Sequence, residues 1–347
     1  MLRKLLAATT LALFASSIFV VGGPASGGTG PSPDDKLLVV IANLDEAYDK
    51  ADAQKIGDMQ NFVDRVLNNG IMPDFKPDVL LLQEVRGISL RNIASILSNQ
   101  TGDDYIVPVN RPEGREERPS FRLTDRKVLH FDTGIIINKA TVGQVPGSPE
   151  GWVRTSYLYS HKASNRTNVG VKSHAYMMVR KKDADGDLVG PYIPLTSVHF
   201  ARGVEVQADK RTYYINQWTS VVASNLHKKF EARKDDWLKV IGGDFNIQRC
   251  PNPQGACNNS AWYKKMKGTG TYYKYDDALF HCSATGACEN FPFGYNWAGK
   301  YALGVDFIFN TGKAALDAGK DHDAPQPNNY SDHIFRWAVL DVTDLTT

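Results

Sequence analysis

The sequence lacks an internal repeat, a coiled-coil heptad pattern and a long low-complexity linker. These absences exclude solenoid, fibrous and largely disordered architectures. At 347 residues the chain could form one large domain or two modest ones, and no shift in composition marks a boundary. A hydrophobic fraction of 42% beside 22% charged residues is ordinary for a globular protein. We therefore predict a single domain over residues 36–345.

Acidic residues and cysteines are missing from the first thirty residues. This segment begins with Arg3 and Lys4, continues with an apolar stretch that is short for a membrane span, and reaches the small residues 25–27. The pattern is typical of a secretion signal with its cleavage region. We predict a cleaved signal peptide over residues 1–28, hence a secreted protein without a stable membrane anchor. The absence of cysteine argues against a lipid anchor there.

The rest of the chain has almost no net charge. The whole sequence has 40 Lys and Arg against 38 Asp and Glu, and the excess of two is accounted for by Arg3 and Lys4. Bulk positive charge therefore does not explain what the protein binds.

Only four cysteines are present, Cys250, Cys257, Cys282 and Cys288. In an exported protein two close pairs favour disulfides over free thiols. Three connectivities are open, and we favour Cys250–Cys257 with Cys282–Cys288, each closing a short loop. Neither pair has the C-x-x-C spacing of most structural zinc sites, so a zinc site is disfavoured.

Strand and helix patterns alternate along the chain. Long apolar runs predict strands over 36–43, 78–84, 132–138, 174–180, 192–200, 237–245, 304–310 and 334–342. Helical spacing predicts helices over 53–67, where Ile56, Met59, Val63, Val66 and Leu67 recur, over 89–100, closed by Gly102, and over 212–230. Long apolar strands between helices indicate sheets covered by helices on their outer faces.

Polar residues stand at the ends of six of these apolar runs. They are Asn43, Glu84, His199, Asp244, Asp306 and the pair Asp332–His333. Any one of them alone is more often a turn or capping residue. Together they are hard to explain as independent turns, because strand ends in α/β architectures open onto a common rim where ligands bind.

The chemistry of this set points to phosphate esters. Carboxylate and amide oxygens without cysteine suit a hard divalent cation such as Mg²⁺ or Mn²⁺. Two histidines with acidic residues to orient them suit general acid and base catalysis. The stretch "DADGD" (183–187) admits a structural Ca²⁺ as well, but its glycine falls in the wrong place for an EF-hand loop. A hairpin turn is favoured there.

Six short motifs carry a family resemblance. They are "IAN" (41–43), "LLQEVR" (81–86), "SVHF" (197–200), "GGDFN" (242–246), "VDFIF" (305–309) and "YSDH" (330–333). In this order and spacing they resemble the endonuclease/exonuclease/phosphatase superfamily, with wording similar to its deoxyribonuclease I-like members. The resemblance spans residues 36–342. It implies an α/β fold, a four-layer α/β/β/α sandwich with two packed central sheets.

The resemblance also implies residue roles. Glu84 would be the principal metal ligand, helped by Asn43 and Asp332. Asp244 and Asn246 would hold the attacking water and the scissile phosphate. The two histidines would form the acid/base pair, His333 oriented by Asp306 and His199 by Asp132, where the family has a glutamate. Arg86 resembles a residue that contacts DNA.

The substrate is less clearly marked, because this superfamily cleaves several phosphodiesters with one centre. Residues 262–275 interleave Lys264, Lys265 and Lys267 with aromatic rings, a composition that favours a nucleic-acid surface, although a solvated face is an equal alternative. The aromatic stretch 291–301 could instead dip into a membrane, as in secreted sphingomyelinases. "VHFARG" lacks the glutamine of those lipases. We predict a monomeric endonuclease, with a phosphoesterase for sphingomyelin, phospholipid or inositol phosphate as the alternative.

Two other classes of function are weaker. A non-catalytic binding module on the same scaffold would have lost the metal ligand or a histidine, and neither is missing. A serine hydrolase would need a G-x-S-x-G elbow, which the sequence does not contain.

Overall fold

The core of the molecule is two β-sheets packed face to face. The computed structural model describes residues 35–47, 53–68, 76–85, 87–109, 133–161, 166–200, 237–246, 266, 275–278, 306–311, 314–321, 331 and 333–343. These residues lie within one compact unit, Pro31–Thr347. The predicted signal peptide, the predicted helix 212–230 and all four cysteines lie outside the described residues.

The described segments form strands for the most part. The strands are β1 Lys36–Ala47, β2 Val79–Val85, β3 Tyr105–Ile106, β4 Thr133–Asn138, β5 Val142–Gln144, β6 Gly151–His161, β7 Arg166–Lys182, β8 Leu188–His199, β9 Val240–Asp244, β10 Tyr275–Asp277, β11 Asp306–Thr311, β12 Ala315–Lys320 and β13 Arg336–Asp341. The helices are α1 Ala53–Leu67 and α2 Gly87–Thr101.

Each sheet places a parallel pair of strands at its centre. The first sheet has the order β12-β13-β1-β2-β4-β3, and the second has β10-β11-β9-β8-β7-β5, with β6 also paired to β7. Strands β1 and β2 run parallel, as do β8 and β9, while their outer neighbours are antiparallel. The carboxyl ends of each parallel pair therefore reach the same edge of their sheet.

Strand alternation divides the apolar side chains between two cores. Along β1, Val39 and Ile41 pack into the core between the sheets, whereas Val40 and Ala42 pack on the opposite face. The second core also contains the buried face of α1 and α2. Successive side chains of a strand point to opposite faces, so a continuous apolar run is what a strand covered on both sides requires.

The helix α1 presents a slightly different face from the one its sequence pattern predicts. Its buried side chains are Met59, Phe62, Val63 and Val66, while Ile56 is 43% exposed. The helix is confirmed, but the prediction that Ile56 lies on its buried face is wrong. Helix α2 ends at Thr101 and is closed by Gly102, as predicted. The φ of Gly102 is 77°, and its N–H donates to the Ser98 carbonyl at 2.9 Å.

The predicted strands within the described residues are confirmed, but several are longer and five short or edge strands were not predicted. Strand β7 begins at Arg166, eight residues before the predicted start. It pairs with β6 from Arg166 to Tyr176. The turn predicted at 183–187 joins β7 to β8, with the N–H groups of Asp185 and Asp187 donating to Asp183 Oδ1. None of the helices in the described segments is long and apolar enough to cross a membrane.

Candidate metal-binding and catalytic site

Three adjacent strands of the second sheet bring polar side chains side by side. His199, the last residue of β8, pairs in register with Asp244, the last residue of β9. Asp244 pairs on its other side with Asp306, the first residue of the antiparallel β11. Residues opposite one another in a sheet project on the same face. The strand-end residues predicted from the sequence therefore meet at one edge.

The first sheet adds Asn43 and Glu84 to this group. The Asn43 amide Nδ2 donates to Glu84 Oε1 at 3.3 Å and to Asp244 Oδ2 at 3.1 Å. Asn43 and Glu84 come from β1 and β2, and Asp244 comes from the other sheet. This amide thus joins the ends of both sheets into one site.

A glycine pair explains how the two sheets approach so closely beside Asp244. A Cβ atom at Gly242 would lie 2.7 Å from a methyl group of Ile41 on the facing sheet. At Gly243 it would lie 2.1 Å from the Val198 carbonyl oxygen and 2.8 Å from Gln83 Nε2, and the φ there is +140°. The strand can therefore deliver Asp244 to the site only because both preceding residues lack a side chain.

Two non-glycine residues of the site have left-handed backbone conformations. The φ angle is 56° at Glu84 and 50° at Asn246. A left-handed conformation at a non-glycine residue costs on the order of 1–3 kcal/mol and tends to occur at functional sites. Glu84 has no short side chain to bond its own backbone, so its strain must be compensated by the surrounding packing.

Asn246 holds the carboxylate of Asp244 in place. Its backbone N–H donates to Asp244 Oδ1 at 2.6 Å, and its Nδ2 donates to Asp244 Oδ2 at 2.9 Å and to the Phe200 carbonyl at 2.6 Å. The structure shows that Asn246 donates hydrogen bonds to Asp244. That Asn246 binds the phosphate stays a prediction.

His199 lies against both carboxylates. Its Nε2 is 3.4 Å from Glu84 Oε1 and 3.6 Å from Asp244 Oδ2. Its backbone N–H donates to Nδ1 of the buried His174 at 3.2 Å. Burial, with the nearby Lys172 charge adding to it, lowers the pKa of His174 to about 3. His174 is therefore neutral at physiological pH and able to accept this bond.

His333 forms a dyad with Asp306. Its Nδ1 is 3.0 Å from Asp306 Oδ2, and its Nε2 is 4.0 Å from Asp244 Oδ2. Its backbone N–H donates to the Ser331 hydroxyl, which in turn donates to the Asn43 carbonyl. The histidine is thus anchored at its ring by β11 and at its backbone by β1, with Nε2 toward Asp244.

The electrostatics of the site centre on Asp244. Complete burial and the neighbouring Asp306 carboxylate raise the pKa of Asp244 to about 7, against opposing effects of His333, Asn246 and Asn43. A cation bound beside such a buried carboxyl group would stabilise its ionised form.

This raised pKa predicts that the stability of the metal-free protein depends on pH. The pKa of Asp in the unfolded chain is about 4. Between about pH 4 and 7 the folded state therefore keeps a proton that the unfolded state has released. The free energy of unfolding contributed by Asp244 should therefore fall as the pH rises through this window. Urea unfolding in EDTA, at about pH 5 and 7.5, should show wild type losing stability relative to Asp244→Asn as the pH rises. An unchanged difference would mean that Asp244 is ionised throughout.

Two neighbouring sets of side chains could hold a divalent cation. Ligand atoms of Asp244, Asp306 and His333 all lie within 4.8 Å of one another. The predicted set was Glu84, Asn43 and Asp332, of which Asn43 contacts both Glu84 and Asp244. Because His333 Nδ1 is already bonded to Asp306, we favour the Glu84 side as the place for the cation and the Asp306 side as a proton-transfer dyad.

Several predicted site residues fall outside the described residues. They are Arg86, Asp132, Lys264, Lys265, Lys267 and Asp332. The remaining seven, Asn43, Glu84, His199, Asp244, Asn246, Asp306 and His333, are all brought together.

Sequence reasoning missed two neighbours of His199, and also Gln83. Lys172 Nζ lies 3.3 Å from His199 Nε2, and His174 receives its backbone N–H. Lys172 precedes the predicted strand 174–180 and His174 opens it, and neither stands at the end of an apolar run where the other site residues were sought. Gln83 donates to Ser197 Oγ at 3.0 Å and links the sheets just below the site. A glutamine inside a run of buried leucines was the available signal.

Comparisons with solved structures find this fold in other proteins. An endonuclease/exonuclease/phosphatase from Bacteroides vulgatus aligns with a TM-score of 0.52 at 15% identity, over 88% of this chain and 99% of that one. The human Nocturnin catalytic domain with a bound sulfate anion aligns with a TM-score of 0.51 at 15% identity, over 89% and 94%. No protein-family model matches the chain, and neither does any curated protein. The chain therefore has the predicted endonuclease/exonuclease/phosphatase fold, and at this identity the likeness concerns the fold alone.

Proposed function

We propose that this chain is a secreted, metal-dependent phosphodiesterase that hydrolyses nucleic acid. The observation that carries the proposal is the surroundings of a single oxygen, Asp244 Oδ2. It lies 3.1 Å from Asn43 Nδ2, 3.6 Å from His199 Nε2 and 4.0 Å from His333 Nε2. Such convergence of amide, imidazole and carboxylate groups from both sheets favours an enzyme over a binding module that has lost its chemistry.

Phosphodiester hydrolysis needs two proton transfers. The oxygen of a water molecule forms a bond to phosphorus and loses a proton, while the bond to the leaving oxygen breaks and that oxygen gains one. His333 suits one of these transfers because Asp306 holds its Nδ1 and leaves Nε2 directed at Asp244. Asp244 suits the binding of the water and the phosphate, which is its predicted role. His199 suits the other proton transfer or a contact to the phosphate, as predicted.

The donor set fits a hard divalent cation. Glu84 and Asp244 offer carboxylate oxygens and no thiolate, the choice that favours Mg²⁺ or Mn²⁺ over softer metals. Asn43 would add its amide oxygen by turning over its side chain, because its Nδ2 faces both carboxylates in the metal-free site. Such a cation would supply charge neutralisation for the phosphate during reaction. The buried carboxylates at Glu84 and Asp244 are the residues that would hold it.

Two basic segments support nucleic acid as the substrate. One is the predicted surface at 262–275. The other is the pair of strands β6 and β7, whose sequences contain no Asp or Glu and include Arg154 and Arg166. Strand β7 pairs with β8 from Ala175 onward, whereas its pairing with β6 continues out to Arg166. The paired strands β6 and β7 thus extend past the end of β8 that carries His199, where they could follow a phosphate backbone.

A substrate panel tests this function. The purified protein would be incubated with plasmid DNA, RNA, sphingomyelin vesicles and a phosphoinositide, each with Mg²⁺ or with EDTA. We expect plasmid nicking in Mg²⁺ only.

Replacing Lys264, Lys265 and Lys267 together by alanine should weaken DNA binding and flatten its salt dependence by about one log–log unit per lost phosphate contact. Hydrolysis of a small chromogenic phosphodiester should be unchanged.

The lipid alternative has its own signature in the same panel. Turnover of sphingomyelin without plasmid nicking would replace the nuclease proposal, and the aromatic stretch 291–301 would then be the segment to truncate. No hydrolysis of any substrate in Mg²⁺ or Mn²⁺ would favour the binding-module alternative.

A further inference from the structure

A buried lysine borders the candidate site. Lys172 lies on β7, and 2% of its surface is exposed. Its Nζ is 3.3 Å from Nε2 of His199, the same atom that lies 3.4 Å from Glu84 Oε1 and 3.6 Å from Asp244 Oδ2. The ammonium group is therefore beside the imidazole that contacts both carboxylates.

A lysine in this position is costly as a filler of space. Burying an ammonium group costs several kcal/mol unless charges and hydrogen bonds compensate it, and an apolar side chain of similar length would avoid that cost. Lys181 of the same strand shows a structural solution, because its buried Nζ is fixed by Asp78 Oδ1 at 3.0 Å, away from the site. Lys172 places its charge against a predicted catalytic histidine.

We infer that Lys172 is a catalytic residue that binds a non-bridging oxygen of the scissile phosphate and stabilises the negative charge on it during hydrolysis. This inference rests on the proposed function. An ammonium group has three donors and no acceptor, so Lys172 can stay beside His199 Nε2 while one of its N–H groups donates to a phosphate oxygen. A fixed positive charge in a buried site costs no reorganisation when charge develops, which is why such groups accelerate phosphoryl chemistry.

The alternative is that Lys172 only positions His199. Both roles predict slower turnover on removal of the amine, but they differ in phosphate binding. A residue that touches the phosphate contributes to the affinity for inorganic phosphate, whereas one that acts through the orientation of His199 contributes little.

The experiment compares Lys172→Met and Lys172→Arg with Lys181→Met as the matched control. Inorganic phosphate binding would be measured by calorimetry in Mg²⁺, and turnover with a small chromogenic phosphodiester. For Lys172→Met we expect phosphate affinity to fall on the order of tenfold or more. We expect kcat to fall on the order of a hundredfold. Lys172→Arg should recover part of the phosphate affinity because it keeps the charge. Lys181→Met should lower stability and leave both quantities unchanged.

Each outcome decides. Wild-type phosphate affinity in a folded Lys172→Met protein overturns the inference even if turnover is slow, and the proposed function then stands alone. Absence of turnover in the wild type, with phosphate affinity still dependent on Lys172, removes the proposed function and leaves an anion-binding lysine. If neither variant folds, the ammonium ¹⁵N resonances of lysine-labelled wild type decide. The Lys172 signal should shift on addition of phosphate while that of Lys181 does not, and an unmoved Lys172 signal overturns the inference.

Discussion

Replacing Glu84 by glutamine should abolish hydrolysis and leave the fold intact. The amide keeps the shape of the side chain and an oxygen that can accept from Asn43 Nδ2, so the contact at 3.3 Å can persist. It removes the negative charge that would hold a divalent cation beside Asp244. We expect kcat/KM in Mg²⁺ to fall on the order of a thousandfold. Binding of Mg²⁺, followed by calorimetry, should weaken in parallel.

Glu150→Gln supplies the control for this substitution. Glu150 is exposed and lies directly before β6, so the same chemical change there should alter neither turnover nor Mg²⁺ affinity. Near-wild-type turnover in Glu84→Gln would remove Glu84 from the site. Lost activity with a thermal midpoint far below that of wild type would point to misfolding, and the strained φ of 56° at Glu84 makes that measurement necessary.

The sequence predicted which polar residues cluster better than it predicted the extent of the strands around them. Each strand-end residue stands at the boundary between an apolar run and a polar one, and that boundary is visible in the sequence because a buried strand must stop where solvent or ligand begins. Asn43, Glu84, His199, Asp244, Asp306 and His333 were found in this way. Parallel pairing brings Asn43 close to Glu84 and His199 beside Asp244, and the packing of the two sheets brings Asn43 to Asp244. Asp306 joins through its antiparallel pairing with Asp244, and His333 through its contact with Asp306.

The residues that were missed obey no such boundary. Lys172 belongs to the part of β7 that pairs with β6 beyond the start of its pairing with β8, so no apolar run marks it. The glycine pair at 242–243 was visible in the sequence. The reason for it was not, because the side chains that a Cβ there would clash with, Ile41 and Gln83, are distant in sequence. Ile56 failed for a related reason, because helical periodicity identifies an apolar face without showing how far the neighbouring sheet extends over it.

The roles of the two histidines lead to the second large effect. His333→Ala should lower kcat on the order of a hundredfold to ten-thousandfold, because it removes a proton-transfer group. His199→Ala should cost on the order of a hundredfold or more, since it removes a group beside both Glu84 and Asp244. Binding of a DNA duplex should barely change in either variant, because neither histidine adds to the basic segments.

Asp306 provides the decisive comparison. If it acts by holding His333 Nδ1 at 3.0 Å, Asp306→Asn should slow turnover less than His333→Ala does. The double variant should then be no slower than His333→Ala alone, because the two residues work as one unit.

Asp306 could instead bind the cation together with Asp244, since ligand atoms of these residues and His333 lie within 4.8 Å of one another. In that case the effect of Asp306→Asn should persist in the His333→Ala background, and Mg²⁺ affinity should fall. Fully additive losses with weakened Mg²⁺ binding would move the cation from Glu84 to the Asp306 side of Asp244. Non-additive losses with unchanged Mg²⁺ affinity would keep Asp306 and His333 as the dyad that the hydrogen bond indicates.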